Sequence, residues 1–355
     1  MPRLTASTHA ARPVLQAVAE PVLGVAAGQS VWRAAHDELR AAGLLAPALG
    51  PTVARLLVFG LALLAALLFA WLGGPLAAVA ASLPIAGLLA QLAFIGHDAG
   101  HGAVHRRPAI NRAVGQLAMT VFTGLAFDEW IARHRAHHRH CQDERRDPDM
   151  AVDLVVSLTA GSRQRKGRLG RWLTRHQGVL IGPLSLLFAH SQRLQSQAAV
   201  LTHPCRHALD AVGLLLHFGL WFGLPCGLLG VPLGLAGLVY LLPLTLLGPY
   251  LAAIFWVNHI GMPLVTRAEA FSFLEHQAVT SRTVLNPPRW HWVFGGLNFQ
   301  VEHHLFPMVP SRRLAAVQPV VQRHLQACGL PYTAVSWPAA ARHIHSHLRH
   351  VARPA

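Results

Sequence analysis

Apolar residues along this chain gather in two long blocks instead of alternating with polar ones. The first block runs from Val53 to about Ile95 and is interrupted at Gly73-Gly74-Pro75. A bilayer-crossing helix needs roughly 20 apolar residues, so the block predicts two crossings with that triplet as the turn. The second block, Ala208 to about Val257, predicts two more, with a break near Gly227 to Gly234. Residues 97–207 between the blocks are polar and rich in histidine. They hold two shorter apolar stretches, Val114 to Phe127 and Val179 to Ala189, which read as interfacial helices. Ser162 to Arg175 is basic and polar and predicts a solvated loop. The pattern as a whole predicts an all-α integral membrane protein of four transmembrane helices with a cytoplasmic helical cap. Its divisions are a cytoplasmic N-terminal segment (1–50), a membrane domain (51–330) and a basic His/Arg-rich C-terminal tail (331–355).

Composition agrees. Hydrophobic residues make up 53% of the 355 and charged ones 13%, too apolar a balance for an ordinary soluble domain. The net charge of +15 could suggest nucleic acid, but its placement argues otherwise. No Lys or Arg occurs from Leu56 to Val104 or from His207 to Thr266, and the only lysine is Lys166. Basic residues confined to the ends of apolar hairpins follow the positive-inside pattern, with both termini in the cytoplasm. The four cysteines form no CxxC and read as reduced thiols. The first 30 residues hold no apolar core, so no cleavable signal peptide is expected. The Ala-, Leu- and Arg-heavy composition points to a bacterial plasma membrane.

Histidine is the outlier, with 24 residues. His97-Asp98-Ala99-Gly100-His101 places two imidazoles one helical turn apart. His134-Arg135-Ala136-His137-His138 places three on one helical face. Gln300-Val301-Glu302-His303-His304 repeats that spacing, with Gln300 where the earlier triad has His134. The crossings bring all three clusters out on one side. A structural zinc needs four ligands; at least seven histidines here argue for two metals. Imidazole suits iron, zinc, copper and nickel. The Glu-x-x-His motif of soluble di-iron bundles is absent, so a histidine-rich di-iron site is the better reading.

HDAGH, HRAHH and QVEHH resemble the three histidine boxes of membrane fatty acid desaturases. The third lies in GGLNFQVEHHLFP (Gly295 to Pro307), similar to the front-end, acyl-lipid branch of that family. Phe127-Asp128-Glu129-Trp130, Asp147-Pro148-Asp149 and Asn258-His259 extend the resemblance over about residues 50 to 330. It implies two Fe ions, with O2 as co-substrate, held by His97, His101, His134, His137, His138, His303 and His304. His259 is implied as a further ligand, and Gln300 as a ligand or a donor to bound water. Asp98 and Glu302 are expected to orient imidazoles through the distal ring nitrogen. Asp128, Asp147 and Asp149 have two readings, that role or pairing with nearby arginines. His105 and His140 fall outside the matched offsets, and His217 reads as a packing residue inside the third crossing. His343, His345, His347 and His350 belong to a basic tail near anionic headgroups.

The resemblance implies insertion of a double bond into a fatty acyl chain linked to lipid, CoA or a carrier protein. The centre activates dioxygen, because an unactivated methylene has no acidic proton; the protein positions the chain and excludes water. Many front-end relatives carry a fused cytochrome-b5-like domain with a His-Pro-Gly-Gly motif. This sequence has no such motif and its N-terminal segment is short, so a separate donor is expected, a ferredoxin with its reductase. Two other readings compete. A related di-iron hydroxylase or ketolase would add oxygen instead of removing hydrogen. A His-rich metal transporter would need ionisable residues along an ion path at mid-bilayer, and His217 is the exception in nearly clean crossings.

Overall fold

The computed structural model describes residues 18–150 and 156–353. Much of the expected N-terminal segment therefore lies outside the described residues. The first helix is α1 (Val25–Ala41), and the first apolar hairpin comes next as α2 (Leu49–Leu72) and α3 (Gly74–Gly100). The hairpin reverses where the sequence predicts. Gly74 sits at φ +77°, a left-handed conformation that glycine adopts without steric cost.

Next come α4 (Pro108–Gly115), a π-helical turn (Gln116–Val121) and α5 (Phe127–His140). They are followed by α6 (Ala160–Gln164), α7 (Arg168–Ser185) and α8 (Phe188–Thr202). The loop expected over Ser162 to Arg175 is thus largely helical. Thr159 caps α6 by accepting from the Ser162 amide at 2.9 Å. In α7 the buried face is polar: Thr174 meets Ser157 at 3.0 Å, and Gln177 accepts from the Ser157 amide at 2.9 Å. The helix buries hydroxyls and amides and turns Leu169, Trp172 and Val179 outward, so its arginine-rich first half reads as a loop.

The second block forms α9 (Ala208–Phe218), a π-helical turn (Gly219–Gly223), α10 (Leu224–Leu228) and α11 (Leu233–His259). The C-terminal part holds α12 (Phe273–Thr280), β1 (Thr283–Leu285), α13 (Gln300–Leu305), α14 (Leu314–Ala327), β2 (Ala334–Ser336) and α15 (Trp337–Ala352). β1 and β2 pair in parallel, with Thr283 opposite Ala334. This small sheet sits within a mostly helical chain, consistent with the expected all-α class. Segments of three residues are too short for strand alternation to show, and only the fold brings them together.

Among the described residues, four helices are long and apolar enough to cross a membrane: Leu49–Leu72, Gly74–Gly100, Ala208–Leu228 and Leu233–His259. Leu61, Leu76, Leu83, Leu215 and Leu233 stand exposed on them. So broad an apolar belt suits lipid, not water. Their inner faces pack Leu63, Leu67, Ile85, Leu89, Leu92 and Phe94. A separate apolar core joins α1, α12, α13 and α14 through Leu39, Leu274, Val301, Leu305, Val317 and Leu325. It fixes the short helix α13 that carries the third histidine motif. A third core seats α15 against α7 and the end of α11 through Ala340, Ile344 and Leu348.

Candidate metal centre

The three histidine motifs converge. His97 occupies the last turn of α3, and His101 is its C-cap. His134, His137 and His138 share one face of α5. That helix approaches α3 closely at Gly100, where an added Cβ would lie 2.6 Å from Ile131 Cδ1. His303 and His304 come from α13, and His259 is the last residue of α11.

Among the described residues, two groups dominated by these histidines result, the donor atoms of each within 4.8 Å of one another. One holds His97, His101, His134 and His303; the other holds His137, Cys141, His259 and His304. His138 bridges them. Its Nε2 lies 3.1 Å from the Nε2 of both His134 and His303, and its ring stacks on His304 at 4.1 Å. His97 Nε2 is also 3.1 Å from His134 Nε2.

Hydrogen bonds on the far side of three rings set their orientation. His137 Nδ1 donates to Asp147 Oδ1 at 2.9 Å, His304 Nδ1 to Gln277 Oε1 at 2.8 Å, and His259 Nδ1 to the Thr280 carbonyl at 3.1 Å. A proton held on Nδ1 leaves Nε2 as a lone pair. His304 Nε2 and His101 Nε2 are buried without any partner among the described residues, a costly state unless something else binds them. Most of the rings are held neutral. Burial, then repulsion from neighbouring imidazoles, pushes His101, His134, His138, His303 and His304 well below the ordinary imidazole range. Buried, neutral, convergent imidazoles fit metal ions.

Other residues resolve one by one. Gln300 ends 2.9 Å from His259 Nε2, while its Oε1 accepts from Asn258 Nδ2 at 3.1 Å. That bond leaves the Gln300 amide nitrogen facing the site. Asp147 takes the orienting role on His137. Asp149 Oδ2 lies 3.5 Å from the same nitrogen, and its side chain is 57% exposed. Asp128 follows its other reading and pairs with Arg112 at 2.9 Å.

Asp98 accepts from Ser311 Oγ at 3.0 Å; its nearest approach to His97 Nδ1 is 3.9 Å, too long for a hydrogen bond. Glu302 accepts from Thr283 Oγ1 at 2.7 Å and Tyr332 Oη at 2.5 Å. The expectation that Asp98 and Glu302 orient imidazoles therefore gives way to another role. Both carboxylates brace the backbone around the motifs, because a residue next to a ligand on a helix points its side chain away from the ligand face.

His105 and His140 lie outside both groups. His217 contacts Arg193 Nη2 at 2.7 Å and donates from Nδ1 to the Val121 carbonyl at 2.9 Å.

Gln277, Thr280 and Cys141 carry no advance signal except that Cys141 is four residues beyond His137. Burial and then the Asp147 charge push the Cys141 thiol well above its usual range, so it remains a thiol at 3.4 Å from His259 Nδ1. Arg282 supports His259 from behind. Its Nε donates to the Val257 carbonyl at 2.6 Å, and its backbone N–H donates to the Asn258 carbonyl at 3.0 Å, closing the C-terminus of α11.

Comparison with known proteins agrees with this arrangement. The family model for fatty acid desaturases matches residues 69–336. Delta(8)-fatty-acid desaturase 1 of Arabidopsis thaliana is 30% identical over 265 residues, covering 70% of this chain and 58% of that protein. The acyl-lipid (9-3)-desaturase of Borago officinalis is 28% identical over 264 residues, with the same coverages of 70% and 58%. The acyl-lipid (7-3)-desaturase of Diacronema lutheri is 28% identical over 274 residues, 73% of this chain and 59% of that protein. The match thus spans less than two thirds of each relative's length. With the family model covering most of its residues and a metal-competent site built from its histidine motifs, this chain belongs to the fatty acid desaturase family.

Proposed function

We propose that the chain is an oxygen-dependent desaturase that introduces a double bond into a fatty acyl chain. The observation that carries this reading is the convergence of buried histidines from all three motifs and the end of α11 into groups whose donor atoms lie within 4.8 Å of one another, with His101 Nε2 and His304 Nε2 left without a partner among the described residues. Two irons are the metals that family membership favours. His97, His101, His134 and His303 would hold one, and His137, His259 and His304 the other, with His138 lying between the two groups. When bound, a di-iron centre supplies the dioxygen chemistry that removes hydrogen from an unactivated methylene.

The chain's own residues do the rest. Asp147, Gln277 and Thr280 fix tautomers. Gln300 donates a hydrogen bond at the second site. Phe94, Trp130 and the apolar core around α3 exclude water on the membrane side, which keeps the site dry. A cleft of about 880 Å³ opens beside His101 and is lined by Arg40, Arg106, Arg112 and Arg135. It supports entry of an acyl group on an anionic head, whether a lipid, CoA or a carrier protein.

Electrons come from a donor protein, for which a ferredoxin with its reductase is the expectation. The site faces the cytoplasm of a bacterial plasma membrane, as the arginine distribution suggests.

The test is expression in a host with a simple fatty acid profile, with a donor supplied, followed by mass analysis with double-bond location. Loss of two hydrogens is the expected product. Gain of one oxygen would assign the chain to the hydroxylases instead, and an unchanged lipid profile with iron bound would overturn the reading.

A further inference from the structure

Two long stretches of this chain contain no carboxylate at all. No Asp or Glu occurs from residue 154 to 209, or from 303 to the C-terminus at 355. The fold brings a helix from each stretch together. α7 and α15 pack side by side, with Gln177 of α7 donating to the Leu348 carbonyl of α15 at 2.9 Å. The contact is close at Gly178, where an added Cβ would lie 3.2 Å from Arg349 Cγ and 3.5 Å from His345 Cε1.

α15 separates its polar residues by face. His347 is buried and meets the Leu158 carbonyl at 2.8 Å, and His343 meets Arg282 at 3.3 Å. The other face presents Arg342, His345, Ser346, Arg349, His350 and Arg353. These line a pocket of about 650 Å³ with no acidic residue in its wall.

The pocket's level in the molecule indicates its occupant. α15 crosses the end of the membrane helix α11, where Trp337 Nε1 donates to the Ala253 carbonyl at 3.0 Å. α7 carries its arginines only in its first half. In that half the helix exposes Arg168, Arg171 and Arg175 together with Leu169 and Trp172. Its second half exposes Val179, and Leu186 and Leu187 follow, all apolar. His345 and Arg349 meet α7 at Gly178, just past its last arginine. Basic side chains at the junction of a wet face and a greasy one lie at headgroup depth. An acidic protein surface would account for the arginines but not for the apolar strip continuing below them.

We propose that the pocket on the exposed face of α15, beside α7, binds an anionic glycerophospholipid. Its phosphate sits among Arg342, Arg349 and Arg353, and its acyl chains lie along Val179, Leu186 and Leu187. None of these residues belongs to the metal centre. The proposal is read from lipid retention without turnover, so its failure and that of the desaturase reading are separable.

The test uses the full chain, loaded with iron, purified in detergent and studied by native mass spectrometry. Dioleoyl phosphatidylglycerol and dioleoyl phosphatidylcholine are the probes. Wild type is expected to retain the phosphatidylglycerol roughly tenfold or more tightly than the zwitterionic lipid, since each basic residue at the surface adds to the attraction. Substituting Arg342→Gln, Arg349→Gln and Arg353→Gln together abolishes that preference. A control triple, Arg267→Gln, Arg289→Gln and Arg323→Gln, removes equal charge elsewhere and keeps it. Iron content shows that each variant is folded, and Arg349→Gln alone replaces the triple if the triple loses iron. Equal retention of the two lipids by wild type, or equal loss of preference in both triples, overturns the proposal. So does an acidic carrier protein held by these arginines with no lipid preference.

Discussion

Three hydrogen bonds decide which nitrogen of three histidines faces the centre, and the His137–Asp147 pair among them has a measurable consequence. Burial disfavours a charged His137, but the Asp147 and Asp149 carboxylates outweigh burial and raise its pKa to about 9 in the metal-free chain. The stability this pair gives the metal-free protein is complete below the ordinary imidazole pKa and is lost as pH rises through about 9. A metal must displace that proton. Apparent metal affinity is therefore expected to rise with pH and level off above about 9, as read by metal titration at a series of pH values. Asp147→Asn removes the nearest carboxylate and moves the levelling point to lower pH; an unmoved profile would count against the assignment. A second contrast separates ligand from neighbour. His137→Ala should lose metal from the second group and abolish lipid oxidation, whereas Gln300→Ala should keep both metals and slow turnover, as read by metal analysis beside product formation.

At the scale of elements, the third motif is the most exposed to perturbation, because α13 is only six residues long. It depends on what packs around it. Glu302 anchors it to β1 through Thr283 and to the chain ahead of β2 through Tyr332. Tyr332→Phe leaves one buried carboxylate oxygen short of a donor and should cost about 1–3 kcal/mol of stability by denaturation in detergent. Gly296, in the turn before α13, sits at φ +81°, and a Cβ there would lie 2.2 Å from the Ser311 carbonyl oxygen. Ser311 in turn holds Asp98 beside the first motif. Gly296→Ala should therefore strain the backbone and shift Ser311, lowering metal content at both groups where a surface Gly→Ala would not. The hairpin turns and the helical offsets of the first two motifs are legible in the sequence, because both depend on local spacing. The bracing of α13 is not, because Thr283, Tyr332 and Ser311 are ordinary residues until the fold brings them to Glu302 and Asp98.

For the whole molecule, the metal centre is where α3, α5, α11 and α13 meet, so metal and fold are linked. Without metal, several buried ring nitrogens of the gathered imidazoles have no partner among the described residues. Chelation should lower the unfolding temperature, and added iron should restore it in a concentration-dependent way, as expected for a ligand that binds only the native state. Thermal unfolding of the chelated and reloaded protein measures this. A chain whose unfolding temperature ignores iron would show that apolar packing alone assembles the site.

The sequence by itself determined the membrane class, the four apolar helices, the two hairpin turns and the three histidine motifs. Each of these is written in residues close along the chain, as runs of hydropathy or offsets of three and four. Tertiary structure decided the division of the histidines into two groups bridged by His138, and the choice of Asp147 over Asp128 as the orienting carboxylate. It also decided the bracing roles of Asp98 and Glu302, and the presence of Gln277 and Thr280 at the centre. Those depend on side chains separated by up to 213 residues meeting within hydrogen-bond distance, and no local spacing encodes such a meeting. The same holds for the helix over Arg168–Ser185. Its buried face is made of hydroxyls and amides that only their partners render interior.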